Sequence, residues 1–236
     1  MSRSDEFIRL YNIVDEHLRR ITGLERERSF AHVVKTAARR DKAVRAHQDL
    51  LIGFGELRNA IVHDRHYPHK VIAEPHPDVV EEFARIVRVV TSPPKLVPKF
   101  QRPIRCFRPA EPLIEALAYM RDNDYSQIVV EGDQGLNLLT TEAVARWFER
   151  KADDDLVSVR ETTVGDALQH QPPGSFAIMS RDQTTFDALD LFSQLPAAGR
   201  SRLFAIIITH SGKPTETPLG IVTPWDLVGD DSREHW

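Results

Sequence analysis

The sequence predicts an α+β chain, an all-α helical bundle followed by two mixed α/β units, on three observations. Apolar residues recur at three- and four-residue intervals up to about position 90. Pro93, Pro94, Pro98 and Pro103 then break that pattern. Beyond them strand and helix signals alternate, and one strand–helix–strand–strand–helix order occurs twice. The expected domains are 1–92, 93–152 and 153–236.

The first helix carries Phe7, Leu10, Tyr11, Val14, Leu18 and Ile21 on one stripe. Ser29 is a candidate N-cap for a second helix with Phe30, Val33, Val34 and Ala37. A third runs from about His47 through Leu50, Leu51, Phe54, Leu57, Ile61 and Val62. Gly53 and Gly55 lower its helix propensity, which predicts close packing against a neighbouring helix. Pro77 suits the first turn of a fourth, which buries Val80, Phe83, Ile86, Val87 and Val90. Residues 91–103 read as a linker or extended entry segment. The first α/β copy then has a strand around Cys106, a helix Pro112–Asp122, strands Gln127–Val130 and Leu136–Leu139, and a helix Thr141–Lys151. In the second, a short helix Val164–His170 precedes a strand Phe176–Ser180 and a helix Phe186–Leu195. Strands Leu203–Thr209 and Leu219–Val222 follow, with a last helix from Pro224.

Composition limits the function classes. No apolar run approaches the roughly 18 residues needed to span a bilayer, and charges interrupt the N-terminus where a signal peptide needs an apolar core, so a cytoplasmic protein is expected. The single cysteine, Cys106, forms no internal disulfide and reads as a packing residue. The net charge of −4 is uneven: residues 1–70 hold 14 Lys+Arg against 10 Asp+Glu, and the remainder 17 against 25. A basic front and an acidic back suggest domains with different partners, although a solvated helix face explains the imbalance as well.

The densest motif is Pro218-Leu-Gly-Ile-Val-Thr-Pro-Trp-Asp-Leu227. A strand ending in Thr223 before a helix aims free backbone N–H groups at the turn, and the Thr223 hydroxyl can cap that helix or donate to a phosphate. Asp226, on the first turn, can accept hydrogen bonds from vicinal hydroxyls or complement the helix dipole. The segment resembles the Gly-x-x-Thr/Ser-x-x-Asp signature of CBS-type modules, which occur as tandem pairs. Ser180-Arg-Asp-Gln-Thr-Thr-Phe-Asp-Ala-Leu189 and Phe204-Ala-Ile-Ile-Ile208 resemble the family's first turn and central strand. In the first copy Arg108-Pro-Ala-Glu-Pro-Leu-Ile-Glu-Ala-Leu117, Ser126-Gln-Ile-Val-Val130 and Leu138-Leu-Thr-Thr-Glu-Ala143 take the matching places, and the resemblance covers roughly residues 96–230. It implies a regulatory module that binds an adenine nucleotide (AMP, ADP, ATP or a relative), with Ile178, Ser180, Thr223, Asp226 and Thr140 as contacts and no cofactor required. Ala143 replaces the expected aspartate, so at most one complete nucleotide site per chain is expected. The segments Pro196–Arg202 and Thr209–Pro218 lie where they could reshape or block the second copy's pocket.

In the bundle, Leu57-Arg-Asn-Ala-Ile-Val-His-Asp64 places Asn59 and His63 four apart, on one helix face. Arg58 is five from His63 and joins them through its length or across a dimer axis. The motif resembles that of HEPN domains, small helical bundles common in ribonucleases of toxin and defence systems, over about residues 5–90. That resemblance implies His63 as general base for a ribose hydroxyl, Arg58 steadying phosphate, Asn59 orienting one of them, and no metal. Hydrogen bonding to the following loop, with His63 matching the helix dipole, is the structural alternative. His63, His66, His69 and His76 cluster in sequence, but Pro68 interrupts any helix between them and no cysteine contributes, so no metal site is expected. Arg19, Arg20, Arg26, Arg28, Arg39, Arg40, Lys42 and Arg45 could face RNA or form a solvated surface. Two-fold pairing in both resembled families implies a homodimer. Two functions therefore follow from the resemblances: a nucleotide-responsive regulator, and a ribonuclease gated by the CBS-like pair.

Overall fold

The computed structural model describes residues 2–63, 74–151, 158–194 and 202–231. The chain forms two compact units, Met1–Pro94 and Lys95–Trp236. Among the described residues no helix is long and apolar enough to cross a membrane.

In the first unit, α1 (Arg3–Thr22) begins at a reciprocal Ser2–Asp5 capping box and ends at Gly23, whose φ of 70° makes glycine the residue suited to that cap. Helix α2 (Phe30–Ala37) is capped by Ser29 and α3 (Lys42–Ala46) by Asp41. Helices α4 (Gln48–His63) and α5 (Pro77–Thr91) complete the bundle. Its core is centred on Phe7, Phe54 and Phe83, whose ring centroids lie 4.4–6.0 Å apart. The two glycines of α4 differ. A Cβ on Gly55 would lie 2.6 Å from a ring carbon of Phe30, whereas one on Gly53 would meet open space. Only Gly55 is explained by close packing. Arg19 pairs with Asp15 at 2.9 Å and donates to the Glu25 and Arg28 carbonyls; Arg45 donates to the carbonyls of Ala38 and Arg39. These two arginines of the basic set therefore tie down loops.

The second unit holds the expected repeat. Strand β1 (Cys106–Phe107), α7 (Leu113–Asp122), β2 (Gln127–Gly132), β3 (Gly135–Thr140) and α8 (Thr141–Arg150) form the first copy. Strand β4 (Phe176–Ser180), α10 (Thr185–Gln194), β5 (Ala205–Thr209), β6 (Gly220–Val222) and α11 (Pro224–Asp231) form the second. In each sheet the first strand runs parallel to the central one and the third antiparallel to it. The parallel pair requires a crossover, which α7 and α10 supply.

Each copy also completes the other's core. The short helix α6 (Leu96–Lys99) leads into the first copy, yet Leu96 and Val97 are buried with Met179, Ala188, Ile206 and Val222 of the second. Helix α9 (Val164–Leu168) leads into the second copy, yet Val164 and Ala167 are buried with Phe107, Leu113, Ala116 and Trp147 of the first. Matching backbone bonds hold both exchanges, from Leu96 N–H to the Gln183 carbonyl and from Leu113 N–H to the Thr162 carbonyl, each 2.8 Å. The sheets meet along a third apolar cluster containing Val129, Leu138, Ala205 and Ile207.

Candidate functional site

The Thr223–Asp226 turn forms with the threonine as donor to the aspartate. Thr223 donates its N–H at 2.7 Å and its hydroxyl at 2.8 Å to one carboxylate oxygen of Asp226. The same threonine-to-aspartate pairing starts α9, where Thr163 binds Asp166 at 2.9 and 2.7 Å, and α10, where Thr184 binds Asp187 at 2.9 and 2.8 Å. Those hydrogen bonds from Thr163 hold the Asp166 carboxyl below its usual range. Asp166 and Asp187 return their N–H to the threonine hydroxyl at 3.2 Å, whereas Asp226 sends its N–H to the Thr223 backbone carbonyl at 3.2 Å; in all three turns the threonine occupies one carboxylate oxygen. Among the described residues its second oxygen has no partner, which leaves an acceptor for a ligand hydroxyl.

The first copy solves the same problem differently. Thr140 is fully buried and its hydroxyl accepts from Ala143 N–H at 3.2 Å, but Ala143 offers no carboxylate. Gln171 supplies the acceptor instead. Its side-chain carbonyl takes both the N–H and the hydroxyl of Thr140 at 3.0 Å, while its amide nitrogen donates to buried Ser175 at 2.6 Å. The donors on Thr140 that a ligand would use are thus already satisfied by the chain.

Ser180 is occupied similarly. Its N–H donates to Gln183 at 2.8 Å, and its hydroxyl donates to the His210 carbonyl and accepts from Asp182 N–H, both at 3.3 Å. Ile178 pairs with Ile207 in the sheet and packs into the seam between the two sheets. Of the predicted contacts, Ile178, Ser180, Thr140, Thr223 and Asp226, none lines the cavity described next.

That cavity, of about 80 Å³, is lined by Arg102, Pro103, Ile104, Arg105, Tyr119, Tyr125, Gln127, Ile128, Val129 and Ile221. Residues 101–102 run beside β6: Gln101 bridges to Gly220, and Arg102 donates from its backbone to the Leu219 carbonyl at 3.1 Å. A Cβ on Gly220 would collide with the Phe100 carbonyl, so glycine permits this approach. The Arg102 guanidinium reaches the Ile221 carbonyl at 2.8 Å. Arg105 lies over Phe107 and Tyr119, 4.4 and 4.9 Å from the ring centroids, and Tyr125 stands 5.9 Å edge-on to Tyr119. Among the described residues the lining thus holds two cations, two phenols, the Gln127 amide and aliphatic side chains, with no carboxylate. Ile221 places it two residues before Thr223 in the chain. The visible clue was Arg102-Pro-Ile-Arg105 at the entry to β1, which carries no motif of its own.

The loop after β5 is internally braced. Glu216 accepts the Ser211 N–H and hydroxyl, which hold its carboxyl down at about 2. The Pro214 carbonyl receives Leu136 N–H at 2.7 Å, tying this loop to the β2–β3 hairpin of the first copy. Burial, and then the Glu131 charge, push the Cys106 thiol up, which suits a protonated packing residue.

In the first unit, Arg58 rests 5.2 Å over the Tyr11 ring and reaches Asn59 Oδ1 at 3.3 Å. Its Nε is buried without a partner, and among the described residues its guanidinium has no carboxylate partner. Asn59 is exposed. Burial and then Asp15 push the Tyr11 hydroxyl up, while Arg58 and Arg19 oppose them. The side chain of His63, with all of Asp64, His66 and His69, lies outside the described residues, so the geometry of the Arg58-Asn59-His63 set does too. His76 caps α5 by position and approaches Asp78 at 3.3 Å. Among the described residues no group of three His, Cys, Asp or Glu side chains could hold a metal.

No family model matches the sequence, and no curated protein matches it. Several solved structures are similar to it. Hypoxic Response Protein I, with two coordinated zinc ions, is 16% identical over 57% of this chain and 97% of its own, at a TM-score of 0.42. A conserved CBS domain protein of unknown function from Thermoplasma acidophilum is 16% identical over 57% of this chain and 67% of its own, at 0.42. CBSX2 in complex with AMP is 14% identical over 58% of this chain and 96% of its own, at 0.41.

Proposed function

We propose that the second unit is a regulatory CBS-type pair that binds one adenine nucleotide beside Ile221, with Thr223 and Asp226 at the sugar-phosphate end. The observation that carries this is the cavity lining, which joins Arg102 and Arg105 to Tyr119 and Tyr125 and, among the described residues, contains no carboxylate. Tyrosine faces and aliphatic side chains accept a planar base, while guanidinium groups hold phosphate oxygens. The free oxygen of Asp226 is the acceptor for a ribose hydroxyl. On this reading the unit binds and reports. AMP is the first ligand to titrate, followed by ADP and ATP. Calorimetry should show binding, and saturation at about 100 Kd should stabilise the unit by about 2.7 kcal/mol. Asp226→Ala should weaken it. The absence of both heat and a melting shift at millimolar nucleotide refutes the proposal.

The helices leave Leu189, Trp225 and Val228 exposed, at 39%, 75% and 60%, on α10 and α11 of the second copy. This face supports homodimer formation, which sedimentation of the full chain tests.

The buried Arg58 Nε, which has no hydrogen-bond partner among the described residues, favours a second role, in the first unit. There Arg58, Asn59 and His63 cleave RNA without a metal, gated by the nucleotide module. Labelled RNA incubated with the parent protein and with His63→Ala, with and without AMP, separates the two. Equal cleavage by both proteins, or by neither, removes the ribonuclease role and leaves the regulator.

A further inference from the structure

We infer that Arg105 is the gate and selectivity residue of this cavity: its guanidinium occupies the place a ligand base would take, and it leaves when an anionic nucleotide binds. The inference rests on the nucleotide reading of the second unit. At about 80 Å³ the cavity is well below the roughly 300 Å³ at which small-molecule pockets begin, and Arg105 is one of the side chains that line it. Arg105 is planar and lies over Tyr119 and Phe107, taking the aromatic face that a base needs for stacking.

The hold on Arg105 is weak enough to release. The residue is exposed, and among the described residues it has no carboxylate partner, so only cation–π attraction keeps it on the rings. Arg102 is different, because its guanidinium is committed to the Ile221 carbonyl at 2.8 Å. A neutral nucleoside must displace the Arg105 guanidinium and offers its charge nothing in return. A nucleotide offers its phosphate to that same cation. The gate therefore opens to anionic ligands and disfavours uncharged ones.

Calorimetric titration of the full-length protein and of Arg105→Ala and Arg105→Lys, each with AMP and with adenosine, tests this. The parent should prefer AMP over adenosine strongly. Arg105→Ala should bind adenosine about fivefold more tightly than the parent, as expected for removing an exposed cation–π contact, and its preference for AMP should collapse. Arg105→Lys keeps charge without planarity and should retain the preference while gaining some adenosine affinity. Equal melting temperatures for the three proteins confirm that the fold is intact. If AMP binds but Arg105→Ala takes adenosine no better than the parent, the gate is wrong and the nucleotide site stands. If no protein binds either ligand, the nucleotide reading falls and the gate with it.

Discussion

Replacing Gln171 by alanine should damage a turn 31 positions away in the chain. The Gln171 side-chain carbonyl is the acceptor for both the N–H and the hydroxyl of Thr140, at 3.0 Å each, and Thr140 is fully buried. Gln171→Ala leaves two buried donors without an acceptor and frees the hydroxyl of Ser175 as well. An unsatisfied buried polar group costs about 1–3 kcal/mol. Partial relaxation, with water entering the vacated space, brings the sum to about 2–4 kcal/mol. At roughly 2–4 °C per kcal/mol for a unit of this size, melting of the second unit should fall by about 5–15 °C. Calorimetry reads the shift, and amide exchange at Thr140 locates it. The other turns provide an internal control. Ala143→Asp in the Gln171→Ala background places a carboxylate three residues after Thr140, the spacing of Thr163–Asp166 and Thr184–Asp187, and should recover at least half of the loss. A Gln171→Ala protein that melts with the parent and keeps its Thr140 amide protected refutes the reasoning.

The glycines of α4 should respond in opposite directions. Gly55→Ala forces a methyl against the Phe30 ring and should cost about 1–3 kcal/mol, whereas Gly53→Ala enters open space and should stabilise by about 0.5–1 kcal/mol, both measured by thermal unfolding. Glu216 supplies a pH test. Its folded pKa, about 2, lies below the ordinary 4.5, so its contribution is full above pH 4.5 and disappears as pH falls towards 2. Glu216→Gln should therefore melt below the parent at pH 6, and the two should converge over that acid window; a gap that stays constant down to pH 2 contradicts the assignment.

The order of elements was readable because each has a local cause: stripes at helical spacing, Ser29 and Pro77 at helix starts, and strands rich in isoleucine and valine. Helix α3 escaped because five residues carry no periodicity, although its cap, Asp41, was in plain view. The exchange of α6 and α9 was equally hidden. Leu96 and Val97 sit among prolines and read as a linker, and only the tertiary fold shows them buried in the second copy. At the candidate site, Thr223 and Asp226 were singled out by the resemblance of their turn to the CBS signature, but the threonine–aspartate spacing alone overstates their meaning, since Thr163–Asp166 and Thr184–Asp187 have it too. Arg102, Arg105, Tyr119, Tyr125 and Gln127 were missed because they belong to a strand entry, a helix and a second strand that no short motif joins. Gln171 was missed for the same physical reason. An acceptor brought from so far along the chain leaves no pattern in the sequence.

On the nucleotide reading, two of the chain's own side chains, one at the Thr140 turn and one in the cavity beside Ile221, decide how many ligands it can take. At Thr140 the occupant is Gln171, held by three hydrogen bonds to the buried Thr140 and Ser175, and displacing it strands donors at about 2–4 kcal/mol. At the cavity beside Ile221 the occupant is Arg105, exposed and held only by ring faces, at about 1 kcal/mol. A ligand that gains the same contacts in either place will therefore displace Arg105 first, by a margin near or above tenfold. The approximate two-fold repeat of the unit provides two equivalent turns, but the Ala143–Gln171 arrangement removes one of them from competition. Titration should accordingly give one nucleotide per chain. Two equivalents of similar affinity would mean that Gln171 yields as readily as Arg105, and would refute this ordering of the two occupants.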